Sequence, residues 1–173
     1  MAESLRAAEA GGVGASPDQP RWYACYTRAR HEKQVDRLLR ERGFESFLPL
    51  IPRVSQWKDR KRLVEWPLFP SYVFGRFGLA DVHTVLATPG VASLVRTSGR
   101  PAAIADEELA NVRLLLRGLA TGAGQPEHCA FLAEGDWVEV MDGPFLGLRG
   151  IVVKHRNRRR VLIGIREIGQ GLE

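Results

Sequence analysis

The spacing of hydrophobic and polar positions changes several times between residues 21 and 118, as it does in folds that mix strands with helices. Aromatic-rich runs predict strands at RWYACYT (residues 21–27) and SYVFGRF (residues 71–77). Helical spacing predicts helices over 28–43 and 104–119, the first of which ends at Gly43. The remaining predicted elements are an extended run at 44–52, a hairpin over 54–66, a short helix within 79–90 and a strand at 91–97. The order β-α-β-hairpin-β-α-β-α predicts an α+β sandwich, in which helices pack against a mostly antiparallel sheet.

The stretch WPLFPSYVFGRF, residues 66–77, concentrates apolar mass between and after two prolines. Strand alternation places Tyr72 and Phe74 on one face and Val73 and Phe77 on the other. Val73 and Phe77 are predicted to be core residues. For the opposite face two interpretations stay open, since its aromatic residues could complete a second core or face a partner. The pattern does not explain Gly75 inside this strand.

The pattern changes after residue 118. The small, polar stretch ATGAGQPEH, residues 120–128, predicts a flexible linker. Beyond it, short alternating strands separated by glycine-rich turns predict a small all-β, barrel-like segment. The expected organisation is a disordered tail at 1–20, a first domain at 21–118, a linker at 119–130 and a second domain at 131–173.

Composition adds a class of partner and excludes several classes of function. The chain has 173 residues and a net charge of +5, and residues 21–118 hold 17 basic against 10 acidic side chains, a net of +7. A polyanion is the partner that this excess predicts, although a solvated basic surface is an equal alternative. No nucleophile lies beside a base at motif spacing and no phosphate-binding loop occurs, so we expect neither an enzyme nor a cofactor. The N-terminus lacks a signal-peptide core and no apolar run could span a membrane, so a cytoplasmic protein is expected.

The two cysteines, Cys25 and Cys129, do not form a C-x-x-C motif, which argues against a disulfide framework or a zinc site. Cys25 lies in an apolar run and is predicted to be a buried, unreactive thiol.

A basic stripe is predicted on the first helix. Arg30, Lys33, Arg37 and Arg40 follow at spacings of 3, 4 and 3, which places them on one side of a helical wheel. Such a stripe can follow a phosphate backbone. It can equally be a solvated face that carries i,i+4 ion pairs.

Several motifs together carry a family resemblance. Residues 135–153, GDWVEVMDGPFLGLRGIVV, resemble a KOW motif, whose barrel Val138, Val140, Ile151 and Val153 would line. Residues 22–50, 66–77 and 88–104 resemble, in order and spacing, the NGN domain of NusG-family elongation factors. The sequence looks closest in character to the specialised RfaH and UpxY-type paralogues.

The resemblance implies an NGN sandwich joined to a KOW, SH3-like barrel, and a monomeric transcription elongation or antitermination factor. Such a factor binds the clamp helices of RNA polymerase through an apolar cavity, reaches the opposite gate loop, contacts the non-template DNA strand and suppresses pausing or termination. Its KOW domain recruits Rho or the ribosomal protein NusE. A KOW-type RNA-binding or ribosome-associated protein is the alternative, since a KOW motif alone also occurs in ribosomal proteins.

Three groups of site residues follow from the resemblance. The polymerase-binding positions are Trp22, Tyr26, Leu68, Phe69, Pro70, Tyr72 and Phe74, with His83 and Thr84 toward the gate loop. The DNA-binding positions are Arg28, Arg30, Lys33, Arg37 and Arg40. The partner-binding positions of the KOW domain are Phe145 and Leu146, on a turn expected to be exposed. KOW barrels close with one more strand where this sequence ends, so a barrel without its last strand, or a truncated chain, is expected.

Overall fold

The structure, a computed structural model, describes residues 19–57, 60–120, 135, 137–140, 143–155 and 158–172. Within these ranges the α-helices are α1 (Glu32–Glu41), α2 (Val82–Leu86) and α3 (Asp106–Ala120), and short 3-10 helices span Leu79–Asp81 and Arg166–Ile168. The strands of the first part are β1 (Arg21–Thr27), β2 (Glu45–Phe47), β3 (Leu50–Trp57), β4 (Arg60–Pro67), β5 (Tyr72–Phe77), β6 (Val91–Leu94), β7 (Arg96–Thr97), β8 (Arg100–Pro101) and β9 (Ala103–Ile104). The strands of the second part are β10 (Trp137–Glu139), β11 (Arg149–His155), β12 (Arg158–Ile165) and β13 (Gln170–Leu172).

The first part is an α+β fold built on one antiparallel sheet, as predicted. Its strand order is β2-β5-β1-β6, and β9 also pairs with β1. The predicted hairpin is present as a separate two-stranded ladder of β3 and β4. The strand predicted at 91–97 is divided into β6 and β7. Strands β8 and β9 were not predicted, because runs of two residues are too short to show an alternating pattern.

The two faces of the sheet carry separate apolar clusters, which confirms the alternation predicted for β5. Val73 and Phe77 belong to the cluster beneath α1, and Phe74 belongs to the cluster beneath α3. The buried members of the first cluster are Tyr23, Cys25, Val35, Leu39, Val73, Phe77, Val85 and Leu94. Those of the second are Trp22, Ala24, Phe69, Phe74, Ile104, Leu109, Val112 and Ile165.

The packing around Gly75 explains why this strand contains a glycine. A Cβ atom at Gly75 would lie 3.2 and 3.3 Å from two ring carbons of Phe77 and 3.6 Å from a methyl of Leu39. The missing side chain therefore lets the Phe77 ring lie close to the backbone of β5 beneath α1.

Cys25 is fully buried in the first cluster, as predicted. Burial raises the pKa of its thiol to about 12, so the reactive thiolate does not form near neutral pH. Cys129 lies outside the described residues.

Two glycines with positive φ differ in their surroundings, and we expect alanine to affect them differently. A Cβ at Gly90 (φ +100) would lie 2.9 Å from Val35 Cγ2 and 3.1 Å from His31 Cβ, whereas one at Gly43 (φ +85) would meet nothing within 4 Å. Gly43→Ala should therefore lower the free energy of unfolding by about 1 kcal/mol, through backbone strain alone. Gly90→Ala adds a steric overlap and should lower it by about 3 kcal/mol. Denaturant titration of both variants measures the difference, and equal losses would refute the packing at Gly90.

The second part is a four-stranded antiparallel sheet with the order β10-β11-β12-β13. Its last strand, β13, pairs with β12 through Ile163 opposite Leu172 and Ile165 opposite Gln170. The expectation that this sheet lacks its final strand is therefore wrong, because a short final strand forms at the residues where it was thought to be missing.

Helix α3 contacts both parts of the chain and extends through Ala120, beyond the predicted domain boundary at residue 118. Phe145, Leu148 and Ile163 form a buried cluster against Leu114 and Leu115 of α3. The backbone N–H of Arg149 also donates to Oδ1 of Asn111 on α3, at 3.3 Å. The C-terminal sheet is thus docked on this helix through an apolar contact with a hydrogen bond beside it.

Candidate functional site

The turn that precedes β5 is built by its proline and by an unusual serine. Pro70 holds φ near −65°, and Ser71 has φ +65. The N–H of Tyr72 donates to the carbonyl of Phe69 at 3.2 Å. Proline followed by a positive φ matches a type II turn, in which glycine is the usual third residue. This turn sets the direction in which Phe69, Pro70 and Tyr72 project from the sheet.

Part of the α3-side face of the sheet remains exposed beside this turn. Tyr26 is 44% exposed, and its ring lies 5.5 Å from the ring of Tyr72 in an edge-to-face arrangement. Tyr72 and Leu68 are half-buried at the margin of the second cluster, and Pro70 is exposed. We call these four residues, Tyr26, Leu68, Pro70 and Tyr72, the exposed aromatic end. Tyr26 contacts Tyr72, and Tyr72 and Leu68 pack against the same cluster, while their role in binding stays a prediction.

The other aromatic residues predicted for this surface are covered. Phe74 is 0% exposed and Trp22 and Phe69 are each 2% exposed, with the rings of Phe69 and Phe74 perpendicular at 5.9 Å. Leu109 and Val112 of α3 lie in the same cluster, as does Ile165 of the C-terminal sheet, and Ile168 packs against it. Of the two interpretations of this face, a second core is therefore correct for Phe74, because tertiary packing covers a face that alternation alone leaves open.

Two residues at this face were missed. The guanidinium of Arg113 lies 5.3 Å from the ring centre of Trp22 and 4.8 Å from that of Phe47, and it pairs with Glu45 at 3.8 Å. Such cation–π contacts hold the edge of the aromatic layer in place. Helical spacing could have placed Arg113 at this face, because it lies four residues after the buried Leu109 and therefore on the same side of α3. Phe47 is paired directly with Phe74, and no local pattern reveals that register.

The predicted basic surface divides into two parts. Arg28 and Arg30, in the loop before α1, are exposed and make no ion pair within the described residues. Arg30 has φ +64, an unusual conformation for a residue with a side chain. Of the five predicted basic residues, these two have no acidic partner among the described residues.

The other three basic residues have acidic partners. Lys33 pairs with Glu65 at 3.6 Å and Arg37 with Glu41 at 3.7 Å, both on exposed surface. Arg40 is held more firmly, since it contacts Asp36 at 3.1 Å and donates to the carbonyl of Ser46 at 3.0 Å. The alternative of a helix face with i,i+4 ion pairs is thus correct for Arg37 and Arg40.

His83 and Thr84 are exposed on α2. Their helix is tied to α1 by Arg42, whose guanidinium donates to the carbonyl of Thr84 at 2.7 Å and to Oγ1 of Thr88 at 2.9 Å. Both side chains therefore project from a fixed element, on a different part of the domain surface from α3.

Phe145 and Leu146 do not share one environment. Leu146 is 57% exposed, as expected, but Phe145 is only 7% exposed. The Phe145 ring lies against Gly118 of α3, where any Cβ atom would overlap it. The expectation that both side chains are exposed is therefore wrong for Phe145, because a glycine on α3 opens space for its ring.

The described residues contain no helix that is both long and apolar enough to cross a membrane. An α+β domain that exposes Tyr26 beside Tyr72, and arginines without an ion pair among the described residues, is suited to binding other macromolecules. The fold and this surface are those of a protein that binds other macromolecules.

Comparison with known proteins identifies the family. The family model described as "Transcription termination factor nusG" matches residues 20–113. The NusG transcription termination/antitermination protein of Pseudomonas aeruginosa is 31% identical over 144 residues, 76% of this chain and 80% of that protein. The corresponding protein of Rickettsia bellii is 29% identical over 146 residues, 78% and 74% of the two chains. A solved structure described as "Domain interaction in Thermotoga maritima NusG" is 21% identical and covers 84% of this chain and 87% of its own, with a TM-score of 0.45.

The chain belongs to the NusG family of transcription termination/antitermination factors. The prediction of a NusG-family transcription factor, made from the sequence motifs, is thereby confirmed.

Proposed function

We propose that this NusG-family protein binds the clamp helices of RNA polymerase through the exposed aromatic end and thereby suppresses pausing or termination. The observation that carries the proposal is the Tyr26–Tyr72 ring pair, exposed at Tyr26 and half-buried at Tyr72, at the margin of the covered aromatic layer. Tyrosine suits this role, since it buries a large area with few rotatable bonds and keeps a polar group for the rim of an interface. The protein acts as a binding factor rather than as an enzyme, in the cytoplasm.

The buried aromatic residues have a supporting role in this proposal. Trp22, Phe69 and Phe74 form the layer against which the exposed aromatic end is packed. His83 and Thr84, exposed on α2, are the proposed contacts to a second polymerase element, the gate loop.

Arg28 and Arg30 are the proposed contacts to the non-template DNA strand. They carry full charges at the surface without an ion pair among the described residues. Lys33, Arg37 and Arg40 contribute less, since a phosphate has to compete there with a carboxylate already in place.

Salt dependence tests this division of the basic surface. Affinity falls as salt rises, and each contact to a single-stranded phosphate makes the negative slope of log affinity against log salt concentration steeper by about 0.7. Arg28→Ala with Arg30→Ala should therefore make the slope for binding to elongation complexes shallower by about 1.4. Arg37→Ala with Arg40→Ala removes the same charge and is the matched control, with a change of less than half that size. Equal changes in the two pairs would contradict the proposal.

The C-terminal sheet, which we propose as a separate functional domain after α3, is assigned to a second partner, Rho or the ribosomal protein NusE. Leu146 is accessible for such a contact, whereas Phe145 becomes accessible only when the sheet leaves α3. Binding of isolated Rho and NusE to the full chain, compared with a Leu146→Ala variant, distinguishes the two partners.

A further inference from the structure

Glu32, the first residue of α1, is a buried acidic side chain at only 7% exposure. Its Oε1 atom accepts a hydrogen bond from the backbone N–H of Ser71 at 2.9 Å. Glu32 therefore connects α1 to the turn before β5, 39 residues further along the chain. A carboxylate is buried at a high desolvation cost unless it is hydrogen-bonded, so this contact is a specific feature of the fold.

The partner of Glu32 is the strained residue of the turn. Ser71 has φ +65, which disfavours a residue with a Cβ atom. Its carbonyl accepts from the N–H of Thr27 at 2.8 Å, so Ser71 is held at its N–H by Glu32 and at its carbonyl by β1. Two such restraints can keep a serine where a type II turn normally has glycine.

The position of this turn decides the shape of the exposed aromatic end. Pro70 and Tyr72 flank Ser71 on either side, and the Tyr72 ring packs edge-to-face on Tyr26. A turn that relaxed at Ser71 would move both neighbours while leaving Phe74 in the core. We propose that Glu32 is a positioning residue for the exposed aromatic end, which rests on the function proposed above for that surface.

The experiment compares three variants of the full chain for binding to a clamp-helix fragment of RNA polymerase. Glu32→Ala removes the acceptor and should weaken binding about tenfold. Glu32→Gln keeps an amide oxygen at the same reach and should bind within about twofold of the unmodified protein. Glu41→Ala, at the other end of α1 and exposed, is the control for the loss of one negative charge and should leave affinity unchanged.

A second readout separates positioning from general stability. The backbone amide resonance of Ser71 should shift in Glu32→Ala and remain near its original position in Glu32→Gln. Adding Ser71→Gly to Glu32→Ala should restore most of the affinity, because glycine adopts the positive φ without restraint. Loss of affinity that merely follows the unfolded fraction, or that the added glycine does not reverse, would overturn the proposal.

The outcomes also distinguish the two proposals from each other. If the unmodified chain fails to bind the clamp-helix fragment, the proposed function falls. The amide resonance of Ser71 and the ring contacts between Tyr26 and Tyr72 do not depend on polymerase, so they still test the role of Glu32. An unchanged Ser71 resonance and unchanged ring contacts in Glu32→Ala would refute positioning whatever the polymerase result.

Discussion

Replacing Gly118 with alanine is expected to release the C-terminal sheet from α3 while leaving the first domain folded. The new methyl group would occupy the space that the Phe145 ring now fills, so the ring has to leave its site. Overpacking of this kind is unfavourable by up to about 3 kcal/mol. A change of that size shifts the balance between docked and released forms by about a hundredfold. Alanine favours a helix over glycine by about 1 kcal/mol, so α3 itself should not be weakened.

Nuclear magnetic resonance measures this release directly. Contacts between the Phe145 ring and the methyl groups of Leu114 and Leu115 should disappear, while the resonances of the first domain should remain those of a folded protein. Arg117→Ala, the neighbouring exposed position on α3, is the control and should keep those contacts. Their survival in Gly118→Ala would contradict the docking geometry.

Release of the sheet should also change the surface available to polymerase. Ile165 lies in the same buried cluster as Phe69 and Phe74, and Ile168 packs against that cluster. Undocking removes both isoleucines and uncovers apolar area next to the exposed aromatic end. Gly118→Ala is therefore expected to bind the clamp-helix fragment more tightly than the unmodified chain does.

Much of the first domain could be predicted from local pattern. Alternation separated Val73 and Phe77 from Tyr72 and Phe74 because side chains of a strand point to opposite faces with a period of two. The C-terminal end of α1 and the ends of α3 followed from helical spacing and from the glycine after α1. The predicted start of α1 at residue 28 was wrong, since the helix begins at Glu32 and Arg30 lies in the loop before it. The ion pair of Arg40 with Asp36 was foreseeable as well, since residues four apart on a helix are neighbours.

Contacts between distant segments could not be predicted in the same way. Nothing local to β5 indicates that α3 and Ile165 cover Phe74, and nothing local to the 143–148 turn indicates that Gly118 receives Phe145. Lys33 and Glu65 are 32 positions apart, so their pairing depends on how the hairpin of β3 and β4 lies beside α1. Burial and charge pairing at the candidate site are consequences of tertiary packing, and a single sequence carries no local signal for them.

The second large effect is expected at the exposed aromatic end. Tyr26→Ala combined with Tyr72→Ala should weaken binding to the clamp-helix fragment by about 3 kcal/mol, or about a hundredfold, because central aromatic residues dominate the energy of interfaces. Neither ring lies in the innermost core, so the free energy of unfolding should fall much less. Trp66→Ala removes another exposed aromatic side chain, on β4, and should leave affinity unchanged.

Phe74→Ala gives the opposite pattern and shows why a sequence-based choice of variant would mislead. Phe74 lies on β5 and is fully buried beneath α3. Replacing it with alanine should therefore lower the free energy of unfolding by about 3–5 kcal/mol. Any loss of binding in that variant would follow from unfolding, whereas in the double tyrosine variant it would occur in folded protein. Denaturant titration alongside affinity measurement separates the two causes. If the folded double tyrosine variant kept full affinity, the exposed aromatic end would not be the polymerase contact. The next candidate would then be the aromatic layer that the docked sheet covers and that Gly118→Ala is expected to expose.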